Sequence, residues 1–205
     1  MPRNRKYELK KRAADMAETR RRITEAAVDL HGSIGPARTT LSAVAERAGV
    51  QRQTLYRHFP TEAELFQACS VHYFTENPWP DLEAWRGIGD PEERLARALH
   101  ELYAYYESTA SMFGNVLRDA ELVDAMRPTL EPLENYQAEA VEILAGGWLA
   151  RGERRQVLTA ALRHAIDFST WRSLAGAHRI TQSEAVALIT ALVEAAVPAP
   201  LRPAG

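Results

Sequence analysis

The stretch "AVAERAGVQRQTLYRHF" (residues 43–59) places one glycine between two short helical patterns and then sets Arg52, Gln53, Thr54, Tyr56, Arg57 and His58 within seven residues. Over residues 41–48, Leu41, Val44, Ala45 and Ala48 recur at helical spacing as one apolar stripe, and the small Ala45 admits a close neighbour. Gly49 suits the left-handed conformation that ends a helix. Val50 then returns to the core, and Leu55 and Phe59, four apart, give the next helix its buried side. Arg52, Gln53, Tyr56 and Arg57 must therefore face outward. Two short helices joined by a glycine turn, the second displaying donors, describe a helix-turn-helix. Its second helix can enter the major groove of DNA, where Arg reads guanine and Gln reads adenine.

On the N-terminal side, Ile23, Ala26, Ala27, Leu30 and Ile34 recur at helical spacing from Thr19 until Gly32, Gly35 and Pro36 end the pattern. On the C-terminal side, Thr61 with Glu64 forms a T-x-x-E capping box for a fourth helix over about 62–76. "NPWP" (residues 77–80) stops it, because proline lacks a donor and restricts its predecessor. Further helices are expected over about 91–107, 109–119, 121–126, 129–149, 154–176 and 182–196, and no strand-like alternation or fixed repeat stands out. The expected organisation is a basic arm over 1–18, a helix-turn-helix DNA-binding domain over 19–64, a second helical domain over 65–197, and a disordered tail over 198–205, with the boundary falling on the fourth helix.

The formal net charge of −2 conceals an asymmetry. Residues 1–60 carry 13 Lys and Arg against 6 Asp and Glu, whereas residues 61–205 carry 12 against 21. A basic head on an acidic body suits a polyanion that meets the head alone, although helix-rich proteins also carry such charge as solvated surface. No apolar run approaches the ~20 residues of a membrane span, and "MPRNRKYELKKR" has no apolar core for a signal peptide, so a soluble, cytoplasmic protein is expected. The single cysteine, Cys69, excludes an internal disulfide and thiolate zinc clusters. It shares a helical face with Leu65 and Phe66, which favours a packed thiol over a redox sensor.

With those features in place, "TTLSAVAERAGVQRQTLYRHFPTEAELFQA" (residues 39–68) resembles the DNA-binding signature of the TetR/AcrR family of transcriptional regulators, and "TRRRITEAAVDLHGSIGPAR" (residues 19–38) resembles that family's first helix and following loop. The resemblance implies an all-α fold: an N-terminal three-helix, helix-turn-helix DNA-binding domain plus a C-terminal helical ligand-binding and dimerisation domain. It also implies a homodimer, most often a repressor, bound to double-stranded operator DNA and released by a small-molecule effector. Carried over position by position, Thr40 would cap the second helix and touch a phosphate, and Gln51 would start the recognition helix. Arg52 and Gln53 become the leading base readers, and Thr54, Tyr56 and His58 hold the DNA backbone, with Arg57 facing outward beside them. Tyr56 could also touch a thymine methyl. One departure stands out: the family commonly has Lys after the position of Thr61, and this chain has Glu62, which suits the helix dipole but repels phosphate.

The cations Arg3, Arg5, Lys6, Lys10, Lys11 and Arg12 precede the first helix, and this arm could extend that helix backwards and track phosphates or the minor groove, or simply be solvated. Tyr103, Tyr106, Met112, Phe113, Val116, Trp148, Phe168 and Trp171 could line a cavity for an apolar or aromatic effector, with ordinary core packing as the competing reading of each. His164 and Asp167, three apart, allow a metal or ligand anchor or an ordinary polar contact; no metal or cofactor is called for. Ala185, Leu188, Leu192 and Ala195, beside Val186, Ile189 and Val193, form a broad apolar surface, and Leu158, Leu162, Ala165, Ser169 and Arg172 offer a partly apolar face before it. Paired across a twofold axis these would make a four-helix bundle. The chain carries no G-x-S-x-G, H-E-x-x-H, P-loop or G-x-G-x-x-G, so an enzyme is not expected. The rival function is a ligand-blind nucleoid or architectural DNA binder, which the same reading head could serve.

Overall fold

The computed structural model describes residues 3–178 and 180–196, and every regular element among them is helical. The α-helices are α1 Arg3–Ser33, α2 Leu41–Arg47, α3 Arg52–His58, α4 Glu62–Glu76, α5 Leu82–Arg86, α6 Pro91–Asp119, α7 Glu131–Leu144, α8 Glu153–Ala165, α9 Phe168–Arg172 and α10 Gln182–Ala196. Turns of 3-10 helix cover Pro36–Arg38 and Asp124–Thr129, and a π-helical turn covers Ser173–His178. The backbone divides into two compact units, Met1–Pro78 with Ala110–Leu130 and Trp79–Thr109 with Glu131–Gly205. α4 lies wholly in the first, and α6 contributes residues to both.

In the first unit, Ile23, Ala26 and Ala27 of α1, Leu65 and Cys69 of α4, and Val44, Ala45, Ala48, Leu55 and Phe59 form one buried cluster. The seven-residue α3 is too short to persist alone, so it depends on Leu55 and Phe59, each essentially without solvent exposure. Burying two such side chains contributes about 1.5–3 kcal/mol each. Ile34, the last position of the apolar pattern, lies one residue beyond the end of α1 at Ser33 and is 40% exposed. The last carbonyls of α1 are taken up by side chains of α6: Asn115 Nδ2 donates to Gly32 O (2.8 Å) and His31 O (3.1 Å), and the Ser111 hydroxyl donates to Gly32 O. Asp119, nearly fully buried, accepts the Ala37 N–H (3.0 Å) and pairs with Arg118 (2.7 Å); the Arg118 hydrogen bond holds its carboxyl below the usual range. Gly35, at φ +97°, turns the chain against this pair, and a Cβ there would collide with the Arg118 guanidinium and the Asp119 carboxylate.

The core of the second unit centres on Trp85, Leu95, Leu99, Tyr103, Leu144, Leu158, Leu162 and Ile166. Trp85 Nε1 donates to Glu101 (2.6 Å). Arg94, only 8% exposed, fans its guanidinium over the carbonyls of Ile88, Gly89, Ile143 and Gly146, which satisfies a buried charge without a carboxylate.

Several boundaries differ from the expected ones for local reasons. α1 begins at Arg3, so the described part of the basic arm is the first half of that helix. The segments expected over 91–107 and 109–119 are one helix, because the Ser108 and Thr109 hydroxyls bond back to Tyr105 O (2.9 and 2.6 Å) and stay within the turn. The segment expected over 154–176 breaks at Asp167, whose side chain caps α9 by accepting from Ser169 N (2.7 Å). In place of helices over 121–126 and 129–149 stand the 3-10 turn, which contains Pro128, and α7, which ends before Gly146 and Gly147. α5, five residues capped by Asp81, is too short to show a period. The disordered tail expected over 198–205 lies outside the described residues, as do the side chains of Arg3, Arg5 and Lys6. No helix among the described residues is long and apolar enough to cross a membrane.

Candidate nucleic-acid interface

Residues 40–57 form the expected helix, glycine turn and second helix. Thr40, extended, caps α2 by accepting from Ala43 N (3.1 Å). Gly49 ends it at φ +64°, with Gly49 N donating to Glu46 O (3.0 Å) and Val50 N to Ala45 O (2.9 Å). Gln51, extended, precedes α3 and makes no side-chain cap. Gln51, Arg52, Gln53, Tyr56 and Arg57 are exposed and Thr54 is half-buried. Arg52 Nη2 donates to the Tyr56 hydroxyl (2.9 Å), and its guanidinium lies 5.4 Å from the Tyr56 ring centre. The two side chains thus form one unit, a guanidinium pre-set by a phenol one turn on.

His58, expected among the residues that hold the DNA backbone, is placed on the inner face of α3. It lies three residues after Leu55, on the buried face, and is 8% exposed, with no hydrogen-bond partner for Nε2 among the described residues. Burial, and then the charges of Arg57 and Arg20, push its pKa down.

Two arginines that sequence reading counted only as charge hold the helix ends. Arg22 donates from Nε and Nη2 to Ala48 O (3.2 and 2.5 Å) and from Nη2 to Gly49 O (3.2 Å), the carbonyls of the turn that follows α2. Arg20 donates to His58 O at the end of α3 and stacks 4.0 Å over the Phe59 ring. The available signal was their phase: Arg20 stands three before Ile23 and Arg22 four before Ala26, so both share the apolar face of α1. Arg21 pairs with Glu18 and Glu25, and Arg47 with Asp29 at 3.0 Å; these exposed pairs contribute little. Glu62 opens α4, exposed, next to Thr61, whose hydroxyl accepts from Glu64 N (3.3 Å).

The eight candidate effector residues divide between the units. Tyr106, Phe168 and Trp171 form an aromatic cluster, with centroids 5.4 Å apart for Tyr106–Phe168 and for Phe168–Trp171. The Tyr103 and Tyr106 hydroxyls donate to Ala165 O (2.9 Å) and Ile166 O (2.7 Å), and burial raises both phenol pKa values. Trp148, half-buried after α7, donates to Leu144 O (3.0 Å). Met112, Phe113 and Val116 lie on the part of α6 that belongs to the first unit. His164 and Asp167 make polar contacts: Thr170 donates to His164 O (2.7 Å), and Asp167 caps α9. Cys69 is packed, its thiol pushed up to about 12 by burial. On α10, Ala185, Val186, Ile189 and Val193 are buried while Leu188 (44%) and Leu192 (57%) are exposed; Leu158, Leu162 and Ala165 of α8 are core, and Val157 (51%) is its large exposed apolar residue.

The family model for bacterial regulatory proteins of the tetR family matches residues 23–69. The HTH-type transcriptional regulator TtgR of Pseudomonas putida is 51% identical over 57 residues, so the chain spans 27% of that relative's length and 27% of its own. The uncharacterized HTH-type transcriptional regulator TtgW of the same species is 41% identical over 111 residues, which cover 53% of this chain and 78% of that one. Among solved structures, a tetR-family transcriptional regulator from Streptomyces coelicolor shares the fold with a TM-score of 0.61 at 17% identity, over 88% of this chain and 80% of that one.

Proposed function

The chain belongs to the tetR family of bacterial regulatory proteins, and on that premise we propose that it is a sequence-specific DNA-binding transcriptional regulator, a homodimeric repressor released from a near-palindromic operator by a small apolar or aromatic effector. The observation that carries the reading is the outward face of α3, where Gln53, Arg57 and the bonded Arg52–Tyr56 pair stand exposed, with Gln51 exposed just before them, on a helix whose opposite face is locked by Leu55 and Phe59. In this reading residues 19–64 recognise DNA and residues 65–197 bind the effector and dimerise. A recognition helix of seven residues contacts few base pairs, so useful specificity needs two copies about one helical turn, ~34 Å, apart. The exposed Leu188 and Leu192 of α10 with Val157 of α8 supply an apolar face for that pairing.

Selection of bound DNA from a random library, with and without candidate hydrophobic compounds, tests the proposal. The expected result is a near-palindromic motif whose affinity falls when an effector is present. Binding with no enriched motif and no response to any compound would establish the ligand-blind architectural binder instead. Light scattering at micromolar concentration should give a dimer, and a monomer would remove the basis for the palindrome.

A further inference from the structure

Inside the first unit, where α1, α2, the start of α4 and residues 122–125 meet, lies a cavity of about 390 Å³. Its buried floor is apolar, made by Val44 and Leu65 with the half-buried Phe66 ring. The lining also holds His31, 5% exposed and stacked on Phe66 with centroids 5.1 Å apart and planes at 20°. No group among the described residues hydrogen-bonds the His31 ring. At the rim stand two exposed carboxylates, Glu62 and Asp124.

We propose that this cavity is a binding site for a small monovalent organic cation with a compact apolar body, such as an arylalkylammonium, and that its occupancy changes DNA affinity. The second clause alone rests on the DNA-binding reading above. The volume lies at the lower end of small-molecule sites, which fits one ring with a short chain. The apolar floor accepts the body. His31 supplies an unused polar edge without repelling that cation, since burial lowers its pKa to about 4 and keeps it neutral at pH 7. Glu62 and Asp124 repel anions and attract the ammonium. Arg127 pairs with Asp124 only loosely, at 3.5 Å with both side chains largely exposed, so an entering cation displaces a weak contact. The carboxylate at position 62, unfavourable for holding a phosphate, gains a use here.

A ligand in this cavity touches the helices on either side of α3. Val44 is on α2, and Glu62 begins α4 four residues after α3 ends. Any preference of the ligand for one spacing of α2 and α4 therefore biases α3, and linkage requires DNA to change the ligand's affinity by the same factor.

The test titrates the intact chain, without DNA at pH 7, with 2-phenylethylammonium, the neutral 2-phenylethanol and the anionic 3-phenylpropionate, following the His31 imidazole resonances. The ammonium should shift them saturably, more tightly than the alcohol, with no response to the carboxylate. Replacing both rim carboxylates, Glu62→Gln with Asp124→Asn, should weaken the ammonium about fivefold, and Ala125→Phe, which fills the cavity, should abolish the response. The carboxylate variant changes only exposed side chains, so it decides the charge argument even if Ala125→Phe folds poorly. Unmoved His31 resonances, or equal affinity for ammonium and alcohol, would overturn the site. A second titration, of a DNA duplex carrying the selected motif with and without the ammonium, reads the coupling. Absence of DNA binding altogether would defeat the DNA-binding reading while leaving the site standing, and an unchanged DNA affinity would overturn only the coupling.

Discussion

Between residues 40 and 60 the first unit turns polar side chains outward in an order set by local geometry, a threonine cap, a left-handed glycine and one seven-residue helix. The second unit turns its aromatic residues inward, and its arrangement joins positions 60 apart in the chain, as in the Tyr106 hydroxyl on Ile166 O. A surface fixed by neighbours in sequence can be read from sequence, because the helix period alone assigns each side chain a direction. A core fixed by distant helices announces only that its residues are apolar. The contrast extends to the polar groups, for Arg20 and Arg22 in the first unit and Arg94 in the second all hold backbone carbonyls, and composition marks them only as charge.

The largest expected effect separates the two units directly. Leu55→Ala removes a fully buried side chain beneath the reading helix and should destabilise the first unit by about 2–5 kcal/mol. All four tryptophans, Trp79, Trp85, Trp148 and Trp171, belong to the second unit. Thermal unfolding of the variant by far-ultraviolet circular dichroism should therefore begin before the tryptophan fluorescence transition, and coincident shifts would break the division into units.

Acid should act next, again on the first unit. His31 has its pKa lowered by burial from 6.5 to about 4, so its contribution is fully present above pH 6.5 and is lost as pH falls toward 4, by up to about 3 kcal/mol. Denaturant midpoints measured across that window should fall less steeply in His31→Gln, and parallel curves would mean other groups carry the acid sensitivity.

A finer comparison lies within α3. Arg52→Ala should relax base preference at one position per half-site, costing about 1–3 kcal/mol. Tyr56→Phe removes the hydroxyl that accepts the Arg52 hydrogen bond, so the double variant should fall short of the sum of the singles by about 0.5 kcal/mol or more. Additive losses in a competition assay would return Tyr56 to an independent backbone contact. The smallest effect belongs to the basic start of α1: deleting residues 1–12 removes six cations and should flatten the slope of log affinity against log salt by up to about 0.9 per lost phosphate contact. An unchanged slope would make those cations spectators.

The helix-turn-helix was legible down to Thr40, Gly49 and the exposure of Arg52, Gln53 and Arg57, since each rests on a local rule. His58 was not, because its polarity suggested the surface while its place three after Leu55 sent it to the core. The faces of α8 and α10 were half legible. Both stripes are apolar, but Leu158 and Leu162 pack inside whereas Leu188 and Leu192 remain outside, and only the three-dimensional neighbours distinguish them. The cavity beside His31 had no signature at all, being assembled from four separate stretches.

α1 spans 31 residues, roughly 46 Å of helix, yet its packed side chains begin near Ile23, and residues 7–18 are exposed all round, Tyr7 (68%), Leu9 (59%) and Met16 (56%) included. A helix without a packed face has no stability of its own at this length and must borrow it from the turns it continues. Amide protons along α1 should therefore exchange with deuterium in a gradient, slow near Ala27 and progressively faster toward Lys10, without a step that would mark a separate folding unit. Proteases should clip the same segment first. A polyanion laid along it would then do more than neutralise charge: by propagating helical order toward the N-terminus it would convert a fraying end into a rigid rod, and the slowed exchange of those amides would record the contact even where affinity changes too little to measure.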